Sequence, residues 1–271
     1  MAFTLKTTQG VCVLSCDLLT RSGGVAHGFS TRLGGVSQDF CAGLNLGYNR
    51  GDDPACVREN FRCFCSAIGA DEAGLVKTRQ VHRDHVQPVT AADAGMDLIA
   101  PAPWETDGLV TDVPGLCLTV FSADCVPVLL YDPVRRCIAA VHSGWRGTAL
   151  SIAVRAVEGM ANDYGCDPGH ILCAIGPAIG RCCFETHDDV PQAMTAALGG
   201  LAAPFLDALP GGKFRVDLKG IIRSTLLQAG LDPAHIQVSD HCTACRRDLY
   251  WSHRLLGGRR GSMAAAIALI P

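Results

Sequence analysis

The stretch Leu116–Arg146, LCLTVFSADCVPVLLYDPVRRCIAAVHSGWR, decides how the chain is to be read. Val126 to Tyr131 is apolar and rich in strand formers, and Cys137 to Val141 is a second apolar run. Between them Asp132-Pro133 marks a turn, because Asp bonds its own backbone and Pro presets φ. The two runs therefore form a hairpin. If Asp132 pairs with Arg135 around a two-residue loop, Cys125 faces His142 directly. Directly opposed residues hold their Cβ atoms about 4.5–5.5 Å apart. A thiolate and an imidazole at that spacing can share one metal ion or one proton.

Outward from the hairpin, strands and helices alternate irregularly. Strands are expected at Val25–Thr31, Leu75–His82, His85–Thr90, Gly108–Thr111, Leu116–Phe121, Ile171–Ile175 and Ile236–Ser239. Ala264–Leu269 is a further one, although its alanines suit either state. Helices are expected at Pro54–Ile68, Thr148–Tyr164, Asp188–Leu198 and Asp217–Ala229. The first has Asp53 as N-cap, Pro54 at its first position and Gly69 as its stop. Clustered strands favour an α+β fold with mixed sheets over a doubly wound parallel sheet. No composition break divides the chain, so residues 1–271 are expected to form one domain.

Composition narrows the function. With 48% hydrophobic and 18% charged residues, the 271-residue chain can bury a large core. A net charge of −3 argues against nucleic acid as a partner, which needs a basic face. No apolar stretch is long enough to span a membrane, and no signal peptide is evident, so a cytoplasmic protein is expected. In that reduced setting the fifteen cysteines are free thiols. Cys12, Cys16, Cys56, Cys63, Cys65, Cys117, Cys137, Cys166 and Cys173 sit among apolar residues and are expected to pack as small hydrophobes. Monomer and homodimer both remain open.

Around the Cys125–His142 pair stand further groups that carry chemistry. Asp124 is a turn residue or a proton carrier. Gly144 and Gly147, within HSGWRG, let the backbone approach a ligand, and the helix amides that follow suit an anion. Arg146 can add a bidentate contact to phosphate or carboxylate. His82, in RQVHRDH, would complete a His₂Cys set, which is three ligands and an open position. Such a set suits catalytic zinc and can also hold copper. Cys242 and Cys245 form a single CxxC without a second one, and Cys182-Cys183 lacks that spacing. Cys242 and Cys245 are expected to be structural thiols, with a redox pair as the alternative. Arg246, Arg247, Arg254, Arg259 and Arg260 make the C-terminal end basic, with one of them a candidate to reach the pocket.

These motifs together resemble the YfiH family, also called the laccase-domain, multicopper polyphenol oxidase or purine nucleoside phosphorylase family. The matching stretches are HGFSTRLGGVS at His27–Ser37, LNLG at Leu44–Gly47 and GDDPACVRENF at Gly51–Phe61. QVH at Gln80–His82, TDGLVT at Thr106–Thr111, SADCVPVLLYDP at Ser122–Pro133 and AVHSGWRG at Ala140–Gly147 follow. IGPAIGRCCFE at Ile175–Glu185, DLKG at Asp217–Gly220 and the CT and WSHR of Cys242–Arg254 complete the set.

The resemblance implies a four-layer α/β/β/α sandwich similar to the catalytic domain of cytotoxic necrotizing factors. It implies a zinc site at His82, Cys125 and His142, with catalysis by these three and Asp124. Substrate or phosphate would lie against Arg32, Asn45, Gly144, Arg146 and Gly147. The implied chemistry is phosphorolysis of adenosine, inosine and methylthioadenosine, with adenosine deamination, so the partners are a small nucleoside and phosphate. Where members often read TGR, this chain has Arg260-Gly261-Ser262, so Arg259 or Arg260 would take the role of that arginine.

Rival readings use the same residues. A copper-dependent polyphenol oxidase would need a weak axial ligand, often Met, and none of the five Met lies near the three ligands in sequence. Nine His are also few for multicopper chemistry. A metal-free hydrolase acting on cell-wall precursors would use Cys125 as nucleophile and His142 as base. The fold could also serve only as a binding module.

Overall fold

The computed structural model describes residues 2–270. In chain order the strands are β1 (Phe3–Thr8), β2 (Val11–Cys16), β3 (Val25–Ser30), β4 (Leu75–Lys77), β5 (Val86–Pro88), β6 (Gly108–Thr111), β7 (Cys117–Ser122) and β8 (Val126–Asp132). They continue with β9 (Cys137–Ser143), β10 (Leu172–Ile175), β11 (Glu185–Thr186), β12 (Leu206–Leu209), β13 (Lys213–Val216), β14 (Ile236–Val238) and β15 (Met263–Leu269). The helices are α1 (Asp17–Ser22), α2 (Pro54–Ile68), α3 (Trp145–Ala149), α4 (Ile152–Tyr164), α5 (Asp189–Leu198), α6 (Leu218–Gln228) and α7 (His253–Leu256).

Two six-stranded mixed sheets stack face to face. One runs β1-β2-β3-β15-β7-β4 and the other β14-β10-β8-β9-β6-β5. The period-2 alternation of strand side chains explains the layering. In β15, Ala265, Ile267 and Leu269 point into the core between the sheets, with Leu118, Val120, Leu129 and Ile138. Its Ala264, Ala266 and Ala268 point outward onto Val57, Phe61 and Phe64 of α2. On the far side, Val126, Val128 and Leu130 of β8 and Ala139 and Val141 of β9 pack under Ile152, Val157 and Met160 of α4 and Ile222 and Leu226 of α6. Four layers result, α/β/β/α. The alanines of β15 let α2 lie close to its sheet, which resolves that segment as a strand.

Helix α2 has the expected limits. Asp53 accepts the Ala55 amide at 2.8 Å, and Gly69 ends the helix at φ 78°. The expected helix over Thr148–Tyr164 begins earlier and breaks. Helical backbone starts at Trp145, and Ser151 at φ 58° separates α3 from α4. Strand β4 stops at Lys77, short of the expected His82, because the chain there leaves one sheet for the other. The hairpin loop is longer than two residues. Asp132 pairs with Cys137, so His142 pairs with Pro127 and Cys125 lies two residues beyond. A slip of two residues keeps every side chain on its own face. Cys125 and His142 remain neighbours, now on a diagonal.

Candidate active site

Two connections cross between the sheets at the same end of the sandwich, and each carries a ligand. Ala123-Asp124-Cys125 links β7 of the first sheet to β8 of the second, while residues 78–85 link β4 to β5. His142 closes β9 beside them. The ligand atoms of His82, Cys125 and His142 all lie within 4.8 Å of one another. His82 Nε2 is 3.9 Å from Cys125 Sγ, and the two imidazoles meet edge to face at 4.9 Å between centroids.

Asp107, which the sequence reading passed over, organises both imidazoles. It precedes β6, whose Gly108 pairs with Val141 of β9, so Asp107 sits across from His142. Its Oδ1 accepts from His142 Nδ1 at 2.8 Å, and its carbonyl accepts the His142 amide at 2.7 Å. The same carboxylate accepts the amides of Val81, His82 and Arg83, each at 3.0 Å. Three successive amides around one anion form a nest. That nest holds His82 at φ 60°, a left-handed conformation costly for a non-glycine residue. With Nδ1 committed to Asp107, His142 turns Nε2 toward Cys125, the arrangement expected of a metal-bound imidazole.

The electrostatics follow from this packing. Burial alone would raise the Cys125 thiol, but the charge and hydrogen bond of His142, aided by His82, pull it down to about 6. Burial alone would discharge His142, but the Cys125 sulfur and the Asp107 carboxylate hold it up at about 9. Burial likewise opposes ionisation of Asp107, yet the His142 contact and the Arg83 and Val81 amides keep it below the usual carboxylate range. A thiolate and two imidazoles, one of them braced by a carboxylate, suit zinc and equally copper. The residues present fit a metal ion.

Gly144 makes the triad possible. A Cβ there would lie 2.8 Å from His82 Cδ2 and 3.2 Å from Cys125 Sγ. Its backbone, at φ −72°, accepts any residue, so the need for glycine is steric. Gly144→Ala is expected to weaken metal affinity about 10–100-fold, the usual effect of displacing a ligand's support, without unfolding the chain. Zinc titration calorimetry on the two proteins checks this; equal affinities would mean His82 yields freely. Gly147 has a milder constraint, with a Cβ 3.3 Å from the Arg83 carbonyl.

The other expected site residues divide. Asp124, at φ 89°, is buried and its carboxylate is fully engaged. Oδ1 accepts from Thr243 Oγ1 at 2.6 Å, and Oδ2 from Ser252 Oγ at 3.0 Å and the Arg254 amide at 2.6 Å. Those bonds fix the turn that aims Cys125. Arg146 lines the cleft, stacked on Trp145 at 4.1 Å. Arg32 does not reach the site: its guanidinium lies 3.7 Å over the Trp251 ring, and Trp251 is buried. Asn45 is buried too and contacts no cleft. It accepts from the amides of Gly47 and Ser262 and donates to Asp52, so it shapes the wall from behind. The helix expected to offer amides to an anion is the short α3, five residues opening at Trp145. Cys56 and Cys63 are half-buried on α2, not core residues, since the helix turns that flank toward solvent.

Two clefts meet at the triad. One, of about 210 Å³, is polar and cationic, with Arg50, Arg79, Gln80, Ser122 and Ser262. The other, of about 340 Å³, presents Trp145, Ile179, Phe184 and Leu218 with Arg146 and Arg254. His82, Cys125 and Arg260 line both. Of the basic C-terminal residues, Arg260 is the buried one between the clefts, whereas Arg259 is exposed over Phe40. Arg260 Nη1 donates to the Gly261 carbonyl and to Ser262 Oγ, but its buried Nε has no partner among the described residues.

A family model described as multi-copper polyphenol oxidoreductase laccase matches residues 26–270. The purine nucleoside phosphorylase YlmD of Geobacillus stearothermophilus is 37% identical over 258 residues, covering 94% of this chain and 93% of that protein. Its crystal structure superposes with a TM-score of 0.92 at 34% identity, covering 100% of this chain and 99% of that one. The purine nucleoside phosphorylase of Deinococcus radiodurans is 40% identical, over 90% of this chain and 89% of its own length. The adenosine deaminase RL5, from an unknown prokaryotic organism, is 34% identical over 86% of this chain and 90% of its own length. Among the described residues no helix is long and apolar enough to cross a membrane. By the extent of these matches the chain belongs to the multi-copper polyphenol oxidoreductase laccase family, with enzymes among its curated relatives.

Proposed function

We propose that this chain is a zinc-dependent purine nucleoside phosphorylase acting on adenosine, inosine and methylthioadenosine. The observation that carries the reading is a His–Cys–His set at the junction of a cationic cleft and an aromatic one. The names of relatives similar along most of the chain support it. Trp145 and Phe184 offer π-faces and Ile179 and Leu218 an apolar floor for a purine. Arg50, Arg79 and Arg260 offer charge for phosphate. The nucleoside then spans the junction with ribose C1′ above the triad.

In the reaction a phosphate oxygen bonds to C1′ as the C1′–N9 bond breaks. The bonding pair leaves with the purine, which takes up the proton that the attacking phosphate loses. The chain's part is to orient and to neutralise charge. Arg260 holds the phosphate oxygens, Trp145 and Phe184 hold the base, and the Asp124 turn keeps Cys125 in place. His82, Cys125 and His142 would hold the zinc, which when bound supplies a Lewis acid at the junction.

Adenosine deamination is a second activity of the same site, favoured by the likeness to RL5. There the nucleophile is water and the carbon attacked is purine C6, not ribose C1′. A C6–O bond forms, the C6–amino bond breaks, and inosine and ammonia are the products, so the base and not the ribose would face the triad. Incubation of the metal-loaded protein with adenosine, with and without phosphate, tests both. Adenine and ribose 1-phosphate are expected only with phosphate, and inosine in either case. Metal-loaded protein yielding no free base would sink the phosphorylase reading.

A further inference from the structure

Strands β10 and β14 run parallel, with Ile175 beside Val238, so the backbone leaves both strands at the same end of the sheet. A further bridge, Ala178 to Cys242, keeps them together. The turn after β10 then carries Cys182 and Cys183 to the CxxC of Cys242 and Cys245, about sixty residues on in sequence. All four sulfurs lie within 4.8 Å of one another. Cys245 Sγ is 3.6 Å from that of Cys182 and 3.4 Å from that of Cys183. Cys182 and Cys183 lack CxxC spacing, yet the turn at Arg181–Cys183 brings both adjacent side chains to the same cluster.

From this convergence we infer a second metal site, a four-thiolate zinc centre formed by Cys182, Cys183, Cys242 and Cys245. Zinc–sulfur bonds of about 2.3 Å place tetrahedral sulfurs about 3.8 Å apart. The two closest separations, 3.4 and 3.6 Å, fall a few tenths of an ångström short of that value and the others lie within 4.8 Å, so modest shifts of the sulfurs reach it. They are too long for disulfides, whose sulfurs are about 2.05 Å apart. Two features prepare the site for metal. The Gly180 amide donates to Cys242 Sγ at 3.2 Å, and the Ala244 and Cys245 amides also serve that sulfur, favouring thiolate against its burial. A Cβ on Gly180 would lie 3.2 Å from Cys182 Sγ and from Cys242 Cβ, so glycine leaves room for the cluster.

The site is closed by four protein ligands, so it is structural and not catalytic. It clips the segment after β10 to the segment that holds Asp124. Thr243, which donates to Asp124, lies inside the CxxC itself. The clip therefore steadies the turn that carries Cys125.

Native mass spectrometry of the full chain, reduced and then supplied with zinc chloride, tests the inference. Two zinc ions are expected in the wild type, one in His82→Ala and one in Cys182→Ser/Cys245→Ser. The His82→Ala protein should melt several degrees higher with zinc than without. Cobalt in that protein should give strong thiolate charge-transfer absorption, as four sulfurs require. No zinc in the reduced His82→Ala protein overturns the inference, whether or not the double variant folds. So would four cysteines found in disulfides that take up no zinc after reduction.

Discussion

Asp107→Asn is expected to strip the His–Cys–His centre of metal affinity and activity while leaving the layered fold in place. The side chain keeps its shape but gains a donor where the native group only accepts. Placed at the Oδ1 position, the new NH₂ faces the His82 amide and His142 Nδ1. His142 then satisfies it by accepting at Nδ1, which moves its own proton to Nε2, the atom that must bind metal. Placed at the Oδ2 position, the NH₂ faces the Val81 and Arg83 amides and breaks the nest that holds His82 at positive φ. Either orientation disables one imidazole. Loss of about 10–100-fold or more in metal affinity is expected. The cost in stability is about 1–3 kcal/mol, that of one buried group facing the wrong partner. Metal content, circular dichroism and nucleoside phosphorolysis, measured on one preparation, separate the two effects. A variant with wild-type metal content would show that Asp107 does not set the tautomer.

Much of this site is legible in sequence because its ligands ride on regular elements. The hairpin of β8 and β9 put Cys125 near His142 even with the wrong loop length, since an even slip preserves the face. Helix α2 announced both ends through Asp53, Pro54 and Gly69. His82 came only with the third ligand of a His₂Cys set in mind, because it sits in an irregular crossing with no periodic signal. Asp107 escaped for a related reason. A lone acid before a short strand looks like a turn residue, although its place in TDGLVT beside β6 was the available clue. Arg32 and Asn45 misled because residue type says nothing about direction. Arg32 turned onto Trp251, and Asn45 was drawn inward by the Gly47 and Ser262 amides. The four clustered cysteines were hidden by distance along the chain, since only the parallel pairing of β10 with β14 brings them together.

Arg260→Met is expected to separate the two proposed reactions. The guanidinium is buried between the clefts with Nε unpaired, and burial pulls its pKa down from the ordinary arginine range. Folding thus retains a charge it has not fully compensated, at the point where the phosphate would sit. Such a group is costly in the free enzyme and useful once an anion arrives. Removing an electrostatic clamp of this kind typically costs about 10²–10³-fold in rate, so kcat/KM for phosphate should fall by that much. Deamination needs no anion, so inosine formation from adenosine should stay within a few-fold. Metal content should not change, because Arg260 is not among the ligand residues. Met fills a similar volume without a charge, so the melting midpoint without phosphate should hold or rise. Arg260→Lys restores charge but not the planar fork, and should recover only part of the phosphate dependence. Equal losses in both reactions would instead make Arg260 a general support of the cleft, and the polar half of the site would need another anchor for phosphate.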